Sequence, residues 1–158
     1  DRGGGGGHGR ALGADGLAVD HGTYRGWMTA RPEKTSFPLK EHLGFTIHDG
    51  EATGTATLQL DERHMNPHDV AHGSVAFALM DTAMGAAVMS VIDEGATCAT
   101  IEIQTRFHRP VSSGLITSVA TVLTAGRRVV HLEAKTFDES GHLIASATGS
   151  FAVIQPSA

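Results

Sequence analysis

The sequence predicts an α+β architecture, a curved antiparallel sheet of six strands wrapped around one long central helix, and three observations point to it. Two extended runs meet at Asp49-Gly50, an almost uncharged segment from Val75 to Ile92 follows, and four further extended runs complete the chain. Between Thr23 and Leu43, Pro32 and Pro38 interrupt any long helix, so short helical pieces are expected there. In GFTIHDGEATGTATLQLD, the Asp49-Gly50 pair is a hairpin signal between strands near Phe45–His48 and Thr53–Leu60. From Val75 to Ile92 the only polar side chains are Asp81, Thr82 and Ser90, which is the pattern of a helix buried on most sides.

The run ATIEIQTRFH alternates. Ile101, Ile103, Thr105 and Phe107 fall on one face, Glu102, Gln104, Arg106 and His108 on the other, and Pro110 ends the strand. LITSVATVLT, RVVHLEAKTFD and LIASATGSFAVI follow, joined by turns at Ala125-Gly126 and Glu139-Ser140-Gly141. A membrane helix is the competing reading of the apolar segment. Its length of about 18 residues would suffice, but a carboxylate near its middle would cost about 3 kcal/mol in lipid.

A chain of 158 residues fits one domain. DRGGGGGHGR cannot bury apolar surface, so residues 1–22 read as a disordered Gly-rich leader and 23–158 as the single domain. With 12 Lys and Arg against 17 Asp and Glu, the chain lacks the basic balance of a nucleic-acid binder. The single Cys98 excludes an internal disulfide framework and fits a reducing, cytoplasmic compartment, where its expected role is that of a small buried apolar residue.

His64, His68 and His72 recur every four residues, a spacing that would align metal ligands on a helix. Pro67 works against that helix, and Asn66-Pro67 instead favours a turn, so no metal site is expected and His64 and His68 read as loop or surface residues. His72-Gly73 stands where the apolar helix must begin. Helix starts expose unpaired amides, and Gly73 lets a ligand oxygen approach its own amide closely, the arrangement of an oxyanion hole. Asp81 lies within the same helix as a candidate general base or nucleophile. At 1.5 Å per residue the two positions are about 12 Å apart. One chain therefore cannot bring both to one carbonyl, and joint action requires two helices side by side in a two-fold dimer with two shared sites.

These residues, in the spacing N-x5-HG-x7-D, resemble the hotdog-fold acyl-CoA thioesterases of the phenylacetate-pathway type, over roughly Leu43 to Ile154. The run RFHRP, the turn AGRR and the closing GHLIASATGSF add weaker support. The resemblance implies that the Gly73 amide, introduced by His72 and assisted by Asn66, polarises the thioester carbonyl of an aryl- or medium-chain acyl-CoA. Asp81 of the facing subunit would activate or replace the attacking water, and Thr100 would help orient it. Arg127, Arg128 and Arg109 become candidates for the phosphates of coenzyme A, which enters as part of the substrate; no separate cofactor is implied. The family pairs two such dimers, so a homotetramer is expected.

Ser74 stands where the family often has a second Gly, and Pro67-His68-Asp69 replaces a smaller loop. HMNPHD also comes near the Asp-x-Asn-Pro-x-His motif of related enoyl-CoA hydratases, but His64 occupies the Asp position and the second His falls one residue early. A non-catalytic acyl-CoA-binding protein is the other alternative. Phe77, Met80, Met84 and Met89 are candidate pocket residues, although core packing is the expected fate of most.

Overall fold

The computed structural model describes residues 37–156. The leader, and the short helical pieces expected before Phe37, lie outside the described residues. A six-residue helix α1 (Pro38–Leu43) opens this part and ends on Gly44 at φ 80°, where a side chain would be strained. Strands β1 (Thr46–Gly50) and β2 (Thr53–Gln59) precede the central helix α2 (Gly73–Met89). Strands β3 (Thr97–Phe107), β4 (Leu115–Ala125), β5 (Val129–Phe137) and β6 (Leu143–Ile154) follow it. All pairings are antiparallel, in the order β1-β2-β4-β5-β6-β3, which makes β1 and β3 the sheet edges.

α2 touches all six strands, as its near-uniform apolar character requires. Leu79, Met80, Ala83, Met84, Ala87 and Val88 are fully buried against the sheet. A close approach is at Gly54 of β2, where a Cβ would collide with the carbonyl oxygen of Ala83. Any larger residue there would lift the helix off the sheet.

The first hairpin departs from its predicted position. Asp49 and Gly50 belong to β1, paired with Gly54 and Thr53, and the turn falls on Glu51-Ala52, with Ala52 at φ 54°. A shift of two residues keeps every side chain on its intended face. It also lets the turn dock on both sides: the Ala52 amide donates to Ser90 Oγ at 3.0 Å, at the end of α2, and its carbonyl accepts from Val122 N at 2.9 Å, in β4.

β3 departs from simple alternation. Thr100 pairs with Phe151 and Glu102 with Ser150, so Ile101 is an extra residue in a β-bulge. The bulge shifts the phase of the strand: Ile103, Thr105 and Phe107 keep the common face predicted for them, Ile101 leaves it, and Thr100 turns toward α2. Ile101 is left 56% exposed.

Candidate active site

Thr100 and Asp81 meet because of that bulge. The Thr100 hydroxyl donates to Asp81 Oδ1 at 2.8 Å, and Asp81 Oδ2 has no partner among the described residues. Asp81 is half-buried on α2, and no arginine pairs with it among those residues. Cys98, one inward-facing position before Thr100, is half-buried with Sγ 4.0 Å from the Gly85 carbonyl oxygen. Burial pushes its thiol pKa up, with a further contribution from the nearby Asp81 carboxylate. A half-buried carboxylate with one oxygen held by a hydroxyl and the other open is equipped to bind a water and accept its proton.

The other end of the helix is built by the loop before it. Asn66 begins a turn, with the Asp69 amide on its carbonyl at 3.0 Å and the His68 amide on its Oδ1 at 2.8 Å. Its side-chain NH2 has no acceptor among the described residues and remains available to a ligand. The loop is closed by an antiparallel bridge between Met65 and Ala71 and by the His72 amide on the His64 carbonyl at 2.8 Å. His72 then caps α2. Its Nδ1 accepts from the Ser74 amide at 3.1 Å and lies 2.8 Å from Ser74 Oγ, which places a neutral ring's proton on Nε2.

Gly73 follows as the first helical residue, and its amide has no acceptor among the described residues. The Phe107 ring lies against its Cα, so a Cβ on Gly73 would come within 3.0 Å of Phe107 Cζ. In front of this helix start is a cavity of about 410 Å³, bordered by His72, Gly73 and Phe107.

His64 lies in the connection between β2 and α2, as a loop residue should, but it is buried rather than at the surface. It is 1% exposed, with Nδ1 accepting from the Asp61 amide and Nε2 donating to the Leu43 carbonyl, each at 2.9 Å. The irregular chain around it needs internal hydrogen-bond partners, and both ring nitrogens supply them. Its neighbour Asp61 is held at a pKa of about 2, chiefly by a hydrogen bond from the Arg63 guanidinium. His68 is exposed, as expected. The three histidines thus occupy a buried brace, a loop tip and a helix cap, and no group of three metal-binding side chains forms among the described residues.

Comparisons with known proteins identify the family of the chain. The sequence model of the Thioesterase superfamily matches residues 68–145. A putative esterase of Haemophilus influenzae is 38% identical over 89 residues, which cover 56% of this chain and 64%, just under two thirds, of that protein. The proofreading thioesterase EntH of Cronobacter turicensis is 31% identical over 117 residues, covering 73% of this chain and 85% of the relative. The chain belongs to the hotdog-fold thioesterase superfamily. A solved thioesterase structure from Haemophilus influenzae superposes with a TM-score of 0.70 at 32% identity, covering 74% of this chain and 82% of that one. The fold predicted from the strand and helix order is therefore the one found, and the chemistry of the family is thioester hydrolysis.

Within this thioesterase the arginines separate. Arg109 borders the cavity at the start of α2, whereas Arg127 and Arg128 form the β4–β5 turn, and Arg127 lines a smaller cavity beside Val91, Ile92 and Asp93, past the other end of the helix. The three do not form one cluster within a chain. The pocket candidates also divide. Met80 and Met84 are fully buried core, Phe77 and Met89 are exposed, and none of the four borders the cavity at Gly73. The residues that do border it include Phe107, which the sequence presented only as one member of an alternating strand. No helix among the described residues is long and apolar enough to cross a membrane.

Proposed function

We propose that this thioesterase hydrolyses acyl-CoA thioesters at two sites shared across a homodimer. The observation that carries the reading is the placement of Asp81, hydrogen-bonded by Thr100, eight positions along α2 from the Gly73 amide, which has no acceptor among the described residues. Gly73, Phe77 and Asp81 follow one another at four-residue spacing and so share one face of the helix. Phe77, midway between them, is 40% exposed in the single chain. Two helices packed antiparallel through that face would set Gly73 of each against Asp81 of the other, with the two Phe77 rings meeting at the axis.

The sheet favours the same symmetry. β3 is an eleven-residue edge strand, and an edge of that length with exposed apolar side chains calls for a partner. Antiparallel pairing of two β3 edges would bring the Phe107 end of one strand to the Thr97 end of the other. The β4–β5 turn lies at that same Thr97 end, because Val129 pairs with Ala152 and Ala152 with Ala99. Arg109 of one copy would then join Arg127 and Arg128 of the other at the rim of one site, where guanidinium groups suit the phosphates of coenzyme A.

In the reaction, Asp81 takes a proton from water as the water oxygen bonds to the thioester carbonyl carbon. The Gly73 amide, assisted by the Asn66 NH2, stabilises the oxyanion that forms. Collapse of this intermediate breaks the C–S bond, and the departing thiolate takes up the proton, giving a free acid and coenzyme A. No cofactor takes part, and the cytoplasm, whose reducing conditions suit the single Cys98, is the proposed compartment. Incubation with a panel of aryl-, short- and medium-chain acyl-CoAs, with the released thiol trapped by a chromogenic disulfide, tests the reading. Turnover of at least one class supports it; binding without thiol release would identify an acyl-CoA-binding protein instead.

A further inference from the structure

Three glycines where α2 meets the sheet are explained by what lies against them. A Cβ on Gly54, Gly73 or Gly149 would press at 3.0 Å or less on the Ala83 carbonyl oxygen, the Phe107 ring or the Met84 sulfur, respectively. Gly85, inside α2, is different. Among the described residues, the only atom within 4 Å of a Cβ there would be Phe151 Cε1, at 4.0 Å, an ordinary contact. Alanine would fit, and glycine in a helix interior weakens folding about fivefold relative to alanine. The packing of the single chain therefore gives no reason for Gly85.

Its position suggests one. Gly85 is half-buried one turn beyond Asp81 on the same side of α2, about 6 Å further along the axis. Its carbonyl oxygen lies 4.0 Å from Cys98 Sγ, beside the strand segment whose Thr100 holds Asp81. Past Gly85 the helix ends at Met89, which is 49% exposed, and Arg127 lines the cavity beside Val91, Ile92 and Asp93. Pairing of two helices does not account for the glycine either. Centred on Phe77, antiparallel helices would set Gly73 against Asp81, so position 85 would lie beyond the start of the other helix, beside the loop that carries Asn66.

We propose that Gly85 is a specificity-determining residue: it keeps open the path along which the carrier arm of the thioester runs from Asp81 to the arginines of the β4–β5 turn. The proposal rests on the thioesterase reading and its shared-site dimer. Arg127 and Arg128 lie on the same chain as Asp81 and at the same end of β3, so an arm that joins a scissile thioester to its phosphates must cross the helix surface between them. That surface is the last two turns of α2, with Gly85 at its near end. A side chain at 85 would stand in the path while disturbing nothing inside the chain. The glycine weakens folding and opens the path, so its replacement should move stability and carrier binding in opposite directions.

The test compares the full chain with Gly85→Ala and Gly85→Leu. Gly85→Ala should raise the melting temperature by about 3 °C. Its affinity for the non-hydrolysable S-hexyl-CoA thioether, measured by calorimetry, should nevertheless fall at least about tenfold, and that of Gly85→Leu further. In Gly85→Ala, kcat/KM for hexanoyl-CoA should fall at least about tenfold more than for S-ethyl hexanethioate, which has the same acyl group and no arm. Sedimentation should show the assembly unchanged. Unchanged thioether affinity, or a lowered melting temperature, would overturn the proposal. Equal losses on the two thioesters would give the space to the acyl side, and a dissociated assembly would give it to the subunit contact; either result also overturns it. Thioether binding that responds to position 85 as expected, without thiol release from any acyl-CoA, would overturn the thioesterase reading and leave the carrier path standing.

Discussion

Two of the places where α2 meets β3 differ in every respect except their parts, a helix residue and a strand residue. At one, the Asp81 carboxylate accepts a hydrogen bond from Thr100, and the contact exists because a bulge at Ile101 turned Thr100 inward. At the other, Gly73 lies under the Phe107 ring, and the contact exists because Gly73 has no side chain. The first is polar and fixes a group that can move a proton. The second is apolar and leaves a backbone amide beside a cavity. Eight positions of one straight helix keep them about 12 Å apart. In the proposed dimer each chain would therefore contribute two complementary half-sites rather than one whole site.

Substitutions should separate the two ends by the size and kind of their effects. Asp81→Asn keeps the shape and removes the base, so kcat for thioester hydrolysis should fall by at least ~10²-fold. Sedimentation should show the assembly unchanged, and a near-normal rate would remove Asp81 from the mechanism. Mixing an Asp81→Ala chain with an Asn66→Ala chain then tests whether the half-sites face each other across subunits. After verified subunit exchange, one site of each hybrid would carry both intact partners, and partial activity should return. A mixture no more active than its components would place the whole site within one chain.

Gly73→Ala should have a smaller effect of a different origin. The amide remains, but the added methyl would come within 3.0 Å of Phe107, and the exposed ring must give way. Activity should fall about tenfold through displacement of the helix start. Phe107→Ala in the same chain should recover part of it, because the clash then has no second member. Equal losses in the single and double variants would show that the ring is not what disturbs the amide. The recovery is read on a short acyl thioester.

The division between what the sequence showed and what it concealed follows the range of the interactions. The strand and helix order was legible because it rests on local periodicity. Asp81 was legible because a carboxylate inside an apolar helix violates that periodicity. The bulge was not, since Ile101 continues the alternation and carries none of the glycine signals of a break; it appears only in the pairing of β3 with β6. The burial of His64 was concealed because its partner, the Leu43 carbonyl, lies 21 residues away. The cavity was concealed for the same reason, as it draws on the loop before α2, on α2 itself, on the β3–β4 connection and on the starts of β4 and β6. Met80 and Met84 took the core packing that their place in an apolar helix led one to expect.

Thr100 offers the finest test, because its proposed part is to position Asp81 rather than to react. Its hydroxyl donates to one carboxylate oxygen and leaves the other open, which restricts the side chain to rotamers that point one oxygen away from β3. Thr100→Val removes the donor at nearly constant volume. Asp81 should then sample unproductive orientations, and kcat should fall about five- to tenfold, a barrier change of about 1 kcal/mol. KM should stay near its original value, since Thr100 makes no contact required for holding the substrate. Thr100→Ser restores the donor and should restore most of kcat. Both substitutions are small and Thr100 is exposed in the single chain, so neither variant should shift the melting temperature by more than a few degrees. A loss shared equally by Val and Ser would assign Thr100 to strand packing. A full-rate Val variant would mean that the bulge sets the direction of Asp81 without help from the hydroxyl it turns inward.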